Sequence, residues 1–242
     1  MTLLARADRL VARIAAFETT KALATEAEGL RTRAEQLRAA ARELRRVRAQ
    51  QAALRANGLE PERDGTSSPP LVARARELLG AFGADRKAIL TVHPPLDHSF
   101  LRPIKSVCEK VDLACANAWQ TSAGAILGPL PDDLLNVLER IADLAPEVRR
   151  IRALQHEGQG IVTGNPGSSA EAVAAELARL RTISTEKSEK WAQLSGGGIP
   201  AEVVSFLRRA AVREARLSEV TPGVVEWLTV RGLLNAFRVS PG

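Results

Sequence analysis

The stretch Thr2–Asn57, TLLARADRLVARIAAFETTKALATEAEGLRTRAEQLRAAARELRRVRAQQAALRAN, decides how the rest of the chain is read. It contains no proline, has one glycine (Gly29), and is crowded with alanine, leucine and arginine. Leu3, Leu10 and Phe17 recur every seven residues, with Ala7 and Ile14 between them. Alternating three- and four-residue spacing is what a helix buried along one stripe requires. After Gly29 the stripe resumes one residue out of phase, carried by Leu30, Leu37 and Leu44, with Ala34 and Ala41 beside them and Val47 and Leu54 beyond. Such a slip implies a stutter or a break, and Gly29 is the natural place for it. Asn57-Gly58 is a helix stop, because both residues tolerate the left-handed conformation that a helix end needs. An unbroken helix of this length would run about 80 Å. A compact domain is narrower than that, so the helix must pair with another long helix or with a partner chain. The expected helix–helix interface is Leu3, Leu10, Ile14, Phe17, Leu30, Leu37 and Leu44.

The second half of the stretch is basic. Eight arginines from Arg31 to Arg55 stand against Glu35 and Glu43, an excess equal to the net charge of +6 on the whole chain. Arg31, Arg38, Arg42 and Arg45 share one helical stripe, with Arg46 next to it. One reading is a solvated face flanking a coiled-coil contact. The other is a ridge that binds nucleic acid or an acidic partner through Arg31, Arg38, Arg42, Arg45 and Arg46.

The 242 residues allow one large or two small domains and are enough to bury a core. Arginine outnumbers lysine 28 to 6, a bias that points to a GC-rich bacterial genome. Arg6, Asp8 and Arg9 interrupt the apolar residues of the N-terminus, so no signal peptide is expected. No apolar run reaches the roughly eighteen residues of a membrane span. Cys108 and Cys115 lie seven apart on a predicted helix, about 10 Å and beyond disulfide reach. They read as apolar seam residues in a reducing compartment, and the expected location is cytoplasmic with no membrane partner.

The rest of the chain predicts an all-α fold: residues 1–57 as the long helix, 58–70 as a linker, 71–194 as an antiparallel helical bundle, and 199–242 as a small C-terminal module. A helix is expected from Leu71 to Phe82, with Leu71, Ala75, Leu78, Leu79 and Phe82 as its apolar positions. Residues 89–92 (ILTV) could be a short strand or an extended crossing. Asp97 or Ser99 is expected to cap a helix beginning near Phe100, with its seam at Ile104, Cys108, Val111, Cys115, Trp119, Ser122 and Ile126. Pro131-Asp132-Asp133 opens the next helix, and Pro146 either kinks it or starts another. Residues 158–167 read as a glycine-rich loop, and Ser168-x-x-Glu171 as the capping box of a helix carrying Val173, Leu177, Leu180, Ser184, Lys187, Trp191 and Leu194. A flexible Ser195–Gly198 hinge precedes the C-terminal module. There a helix over 200–213 and a second capped by Thr221, with Val224, Trp227, Leu228 and Leu234 inward, could end in a short strand at 237–239. That order suits a helix-turn-helix or winged-helix-like unit.

The stretch TPGVVEWLTVRGLLNAFRV, within about Leu217–Val239, resembles the tails of some bacterial phage-defence proteins, in which a Thr-Pro-capped helix carries Trp-Leu, then Gly-Leu, then Phe-x-Val. The resemblance covers under a tenth of the chain. It implies genomic neighbourhood more than activity. Arg231 is the only basic residue on that second helix, against Glu226, which favours packing or subunit docking over base reading.

Chemistry-bearing motifs are scarce. The loop QGIVTGNPGSS lacks the Gly-Lys-Ser/Thr ending and any lysine, so a triphosphate would lose its key cationic contact there and the stretch reads as a linker. His93, Asp97, His98 and Cys108 have no paired helical spacing, and no metal or cofactor is expected. His156 is expected at a helix end, and Asp132-Asp133 is explained by a helix start. The expectation is a non-catalytic scaffold, adaptor or accessory subunit of a bacterial complex that acts through a protein partner or self-association. A DNA- or RNA-binding accessory protein is the alternative.

Overall fold

The computed structural model describes residues 3–62, 69–141, 144–196, 199–211 and 214–234, with side chains described from residue 9 onward and not at 195, 196 and 211. Among these residues the fold is all-helical, with no strand. The chain divides into two compact units, 1–117 and 118–242. The division falls inside a helix and not at the proline-rich 58–70 stretch.

In the first unit, α1 runs unbroken from Leu3 to Ala56 and passes through Gly29 without a break. The phase slip is real but has a different consequence. At 100° per residue it turns the apolar stripe from one side of the helix to another. The helix ends as expected. Gly58 adopts φ +76°. Its N–H donates to the Arg55 carbonyl at 3.0 Å and that of Leu59 to the Leu54 carbonyl at 3.0 Å, while Leu54 and Leu59 are both buried.

Helix α2 (Pro69–Ala84) begins inside the expected linker, whose Leu59 and Pro61 are buried. Of its expected inward residues only Leu78 is buried, while Leu79 and Phe82 are exposed. In place of a strand at 89–92 there is a one-turn helix, α3 (Ala88–Thr91). A π-turn over Asp97–Leu101 leads into α4 (Arg102–Leu127). Neither expected cap forms. The Ser99 hydroxyl shares its one hydrogen between the Pro94 and Pro95 carbonyls, each at 3.1 Å, and Asp97 pairs with Arg102 at 2.8 Å. The α4 seam holds at Ile104, Cys108, Val111, Cys115 and Trp119, then continues through Ala123 and Leu127 in place of Ser122 and Ile126.

The second unit takes the end of α4 and the helices α5 (Asp132–Leu138), α6 (Ala145–Thr163), α7 (Ala170–Gly196), α8 (Ala201–Ala211) and α9 (Pro222–Val230). Pro146 starts α6 and does not kink a longer helix, since its missing N–H costs nothing in a first turn. The expected glycine-rich loop is in large part helix. Gly158 and Gly160 lie within α6, and Gly158 is buried where a Cβ would overlap the Leu127 side chain. His156 is therefore mid-helix. Helix α7 is capped by Ser169, not Ser168: the Ser169 hydroxyl accepts from the Ala172 N–H at 3.1 Å.

Helices α6 and α7 run antiparallel. Arg150–Glu186 (2.6 Å), Arg179–Glu157 (2.8 Å) and Lys190–Glu147 (3.1 Å) hold one constant register along them. The Trp119 indole donates to the Ile161 carbonyl at 3.2 Å, and the Ser184 hydroxyl to the Ile126 carbonyl at 2.7 Å. The C-terminal helices do not stand apart from the rest of this unit. Val203, Phe206, Leu207, Val224, Trp227 and Leu228 share one core with Leu134, Leu135, Leu138, Val148 and Ile151. Thr221 caps α9 by accepting from the Val224 N–H at 3.3 Å. Leu233, not Leu234, turns inward after Gly232. The expected strand at 237–239 and the 197–198 part of the hinge lie outside the described residues.

Candidate interaction surfaces on the first helix

The two halves of α1 have opposite surroundings. From Glu26 onward the helix packs within its own unit. Glu26 pairs with Lys87 at 2.6 Å, and Gly29 lies against Leu90. Leu30, Leu37 and Leu44 are half-buried, and Val47, Ala53 and Leu54 are fully enclosed. Leu30 and Leu37 also line an apolar recess of about 410 Å³ with Leu78, Phe82, Leu96 and Phe100. These three leucines of the expected interface thus face the chain's own helices.

The first half is bare among its described side chains. Every described side chain from Arg9 to Thr25 is exposed. Leu10 is 61% exposed, Ile14 51% and Phe17 70%, with Val11 and Leu23 also in the open. Leu3 is in the helix, but its side chain lies outside the described ones. The helix itself is locally well satisfied. The Thr19, Thr20 and Thr25 hydroxyls donate to the carbonyls of Ala15, Ala16 and Lys21 at 2.9 to 3.0 Å. A bare apolar stripe gives its helix little support, because most helical stability in proteins comes from covering such a face.

The basic residues separate into two groups. Arg46 donates to Glu43 at 2.7 Å and to Asp112 of α4, and these two carboxylates raise its pKa. It fastens α1 to α4. Arg31 pairs with Glu35 at 3.3 Å on the surface. Arg38, Arg42 and Arg45 are exposed, and among the described residues no carboxylate pairs with them. Separated by four and three residues, they form one ridge on the flank of α1, roughly 90–150° round from the stripe of Leu37 and Leu44. Nothing in the sequence separated Arg46 from this ridge, because its partner Asp112 lies 66 positions along the chain.

Other polar candidates have structural surroundings. Cys108 and Cys115 are both buried, and burial pushes both thiols above their ordinary pKa, away from the reactive thiolate. Arg231 lies over the Trp227 ring at 4.3 Å. Sequence reasoning placed Lys187 in a seam but missed its role. The ammonium is buried, and it donates to the Leu127 carbonyl, to the Gly128 carbonyl at 3.2 Å and to Gln155 Oε1 at 2.9 Å, closing the C-terminus of α4. Among the described residues no group of three or more metal-ligating side chains converges, and no helix is long and apolar enough to cross a membrane. No family model, curated protein or solved structure matches the chain.

Proposed function

We propose that this protein is a non-catalytic helical scaffold or adaptor, an accessory subunit of a bacterial multiprotein complex, which docks through the first half of α1. The observation that carries this reading is the unpartnered stripe of Leu10, Ile14 and Phe17 on a helix whose second half is anchored by its own unit. An apolar helical face is a common recognition element, read through anchors at three- and four-residue spacing. The tail resemblance directs the search for partners to phage-defence gene neighbourhoods. Two buried, unpaired cysteines support action in the reducing cytoplasm. We read the end of α4 with α6 and α7 as an antiparallel bundle. We read α8 and α9 as a helix-turn-helix-like pair used for docking, since the one basic side chain of the α9 end is laid on Trp227.

The test compares the full chain with an Ile14→Asp/Phe17→Asp variant, by light scattering and by binding to the purified products of flanking genes. Loss of association with unchanged melting supports the reading. A monomer that binds none of those products, with or without the substitutions, contradicts it.

The second reading, nucleic-acid binding, rests on the Arg38, Arg42 and Arg45 ridge. It expects duplex or single-strand binding with a salt slope of about −2 to −3, from about −0.7 to −0.9 per phosphate contact. Replacing the three arginines with glutamate should abolish that binding; unchanged binding excludes the ridge.

A further inference from the structure

The exposed stripe of α1 carries enough pattern to identify its occupant, an inference that rests on the docking role above. In heptad terms, Leu3, Leu10 and Phe17 are d positions and Ala7, Ile14 and Lys21 are a positions. Arg13 then falls at g and Glu18 at e, on opposite flanks of the stripe. Among the described residues neither is paired within its own chain. We propose that a second copy of this chain covers the stripe, as a parallel, in-register, two-stranded coiled coil over residues 3–21.

Charge sets the orientation. In a parallel pair, a g side chain meets the e side chain five positions on in the other strand. Arg13 therefore meets Glu18 of the second copy, and symmetry makes the pair twice. In an antiparallel pair, g faces g and e faces e. Arg13 would then meet Arg6, Arg13 or Thr20, and Glu18 would meet Leu4, Val11 or another Glu18. Only the parallel arrangement gives both charges an opposite partner.

The a and d residues set the strand number. Isoleucine at a with leucine at d favours two strands, and a lysine at a single a position fixes register and oligomer state at some cost in stability. In a dimer the two Lys21 side chains can run their stems along the seam and carry their ammonium groups to water. The extent follows from α1 itself. Beyond Lys21 the stripe positions pass to Ala24 and Glu28, and from Glu26 the helix packs against its own unit instead. The coiled coil ends where internal packing begins.

Sedimentation of the full chain over a range of concentrations tests this, using wild type, Arg13→Glu, Glu18→Arg and an equimolar mixture of the two variants. Wild type should be a dimer that dissociates on dilution. Each variant turns two attractive pairs repulsive and should weaken the dimer about tenfold. In a mixed dimer, the glutamate introduced at position 13 of one chain meets the arginine introduced at position 18 of the other. The unchanged Arg13 and Glu18 meet across the second pair, so dimer strength should return in the mixture. At concentrations where wild type and variants are all monomeric, their melting temperatures should match, since both sites are exposed. A mixture as weak as its components, or a wild type that stays monomeric at every concentration, overturns the proposal. The docking role itself falls if the monomeric chain also binds none of the flanking products, or if Ile14→Asp/Phe17→Asp leaves that binding untouched.

Discussion

Leu90 Cδ2 stands 3.1 Å from the point that a Cβ on Gly29 would occupy. The only glycine of α1 is therefore a contact and not a break. It lies where the helix passes from its bare half to its packed half. A helix-interior glycine costs roughly 0.5–1 kcal/mol against alanine. The opposing contact is the tip of a half-exposed leucine on a one-turn helix, and it can give by a few tenths of an ångström. Gly29→Ala should raise the melting temperature by a few degrees, and Gly29→Val should lower it, measured by circular dichroism.

Gly158 has the opposite balance. Its missing Cβ makes room for the buried Leu127 side chain, which α4 and α6 cannot vacate. Overpacking costs typically about 1–3 kcal/mol, more than the helix propensity gained. Gly158→Ala should destabilise the protein in denaturant unfolding, and Gly158→Ala/Leu127→Ala should recover part of the packing strain. Gly160, with nothing near its Cβ, is the control, and Gly160→Ala should be neutral or stabilising.

Lys187 holds the last carbonyls of α4, so Lys187→Ala should leave buried acceptors unpaired at a cost of about 1–3 kcal/mol. Burial also pushes the ammonium pKa below its ordinary 10.5. Between that lowered value and 10.5 the unfolded chain binds more protons than the folded one, so stability rises with pH in this window. The raised thiols of Cys108 and Cys115 pull stability down in the same range in both proteins, so the difference between the stability–pH profiles of wild type and Lys187→Met should carry the Lys187 rise.

Arg46 donates to Glu43 and holds its carboxyl below the ordinary 4.5. A depressed carboxylate pKa contributes stability above the unfolded value, and that contribution disappears as pH falls through the folded one. Glu43→Gln should therefore be less stable than wild type at neutral pH, and the two should converge as acid titration proceeds below about 4.5. A gap that persists in acid would show that Glu43 acts through packing.

What the sequence made legible was local. Periodicity shows the all-helical class and the α4 seam as far as Trp119, and Asn57-Gly58 marks the helix stop, because each depends on residues a turn or two apart. Misreadings arose where a distant residue decides. Gly158 and Gly160 read as a loop because glycine favours one, yet Leu127 makes the first of them a packing site. Leu79 and Phe82 have the spacing of buried residues, yet they rim a recess. Arg46 looked like its neighbours until Asp112 met it. Leu10 and Leu37 carry the same interface pattern, yet the first is bare and the second is covered by its own unit.

Amide hydrogen exchange over residues 9–22 is the most direct test of docking through the first half of α1. A helix end that packs on nothing opens readily, whereas a covered one is protected. The expected result is protection of 9–22 that rises with protein concentration or with an added partner and vanishes in Ile14→Asp/Phe17→Asp, while 47–54 stays protected throughout. Amides of 9–22 that exchange at the unprotected rate under every one of these conditions would contradict it.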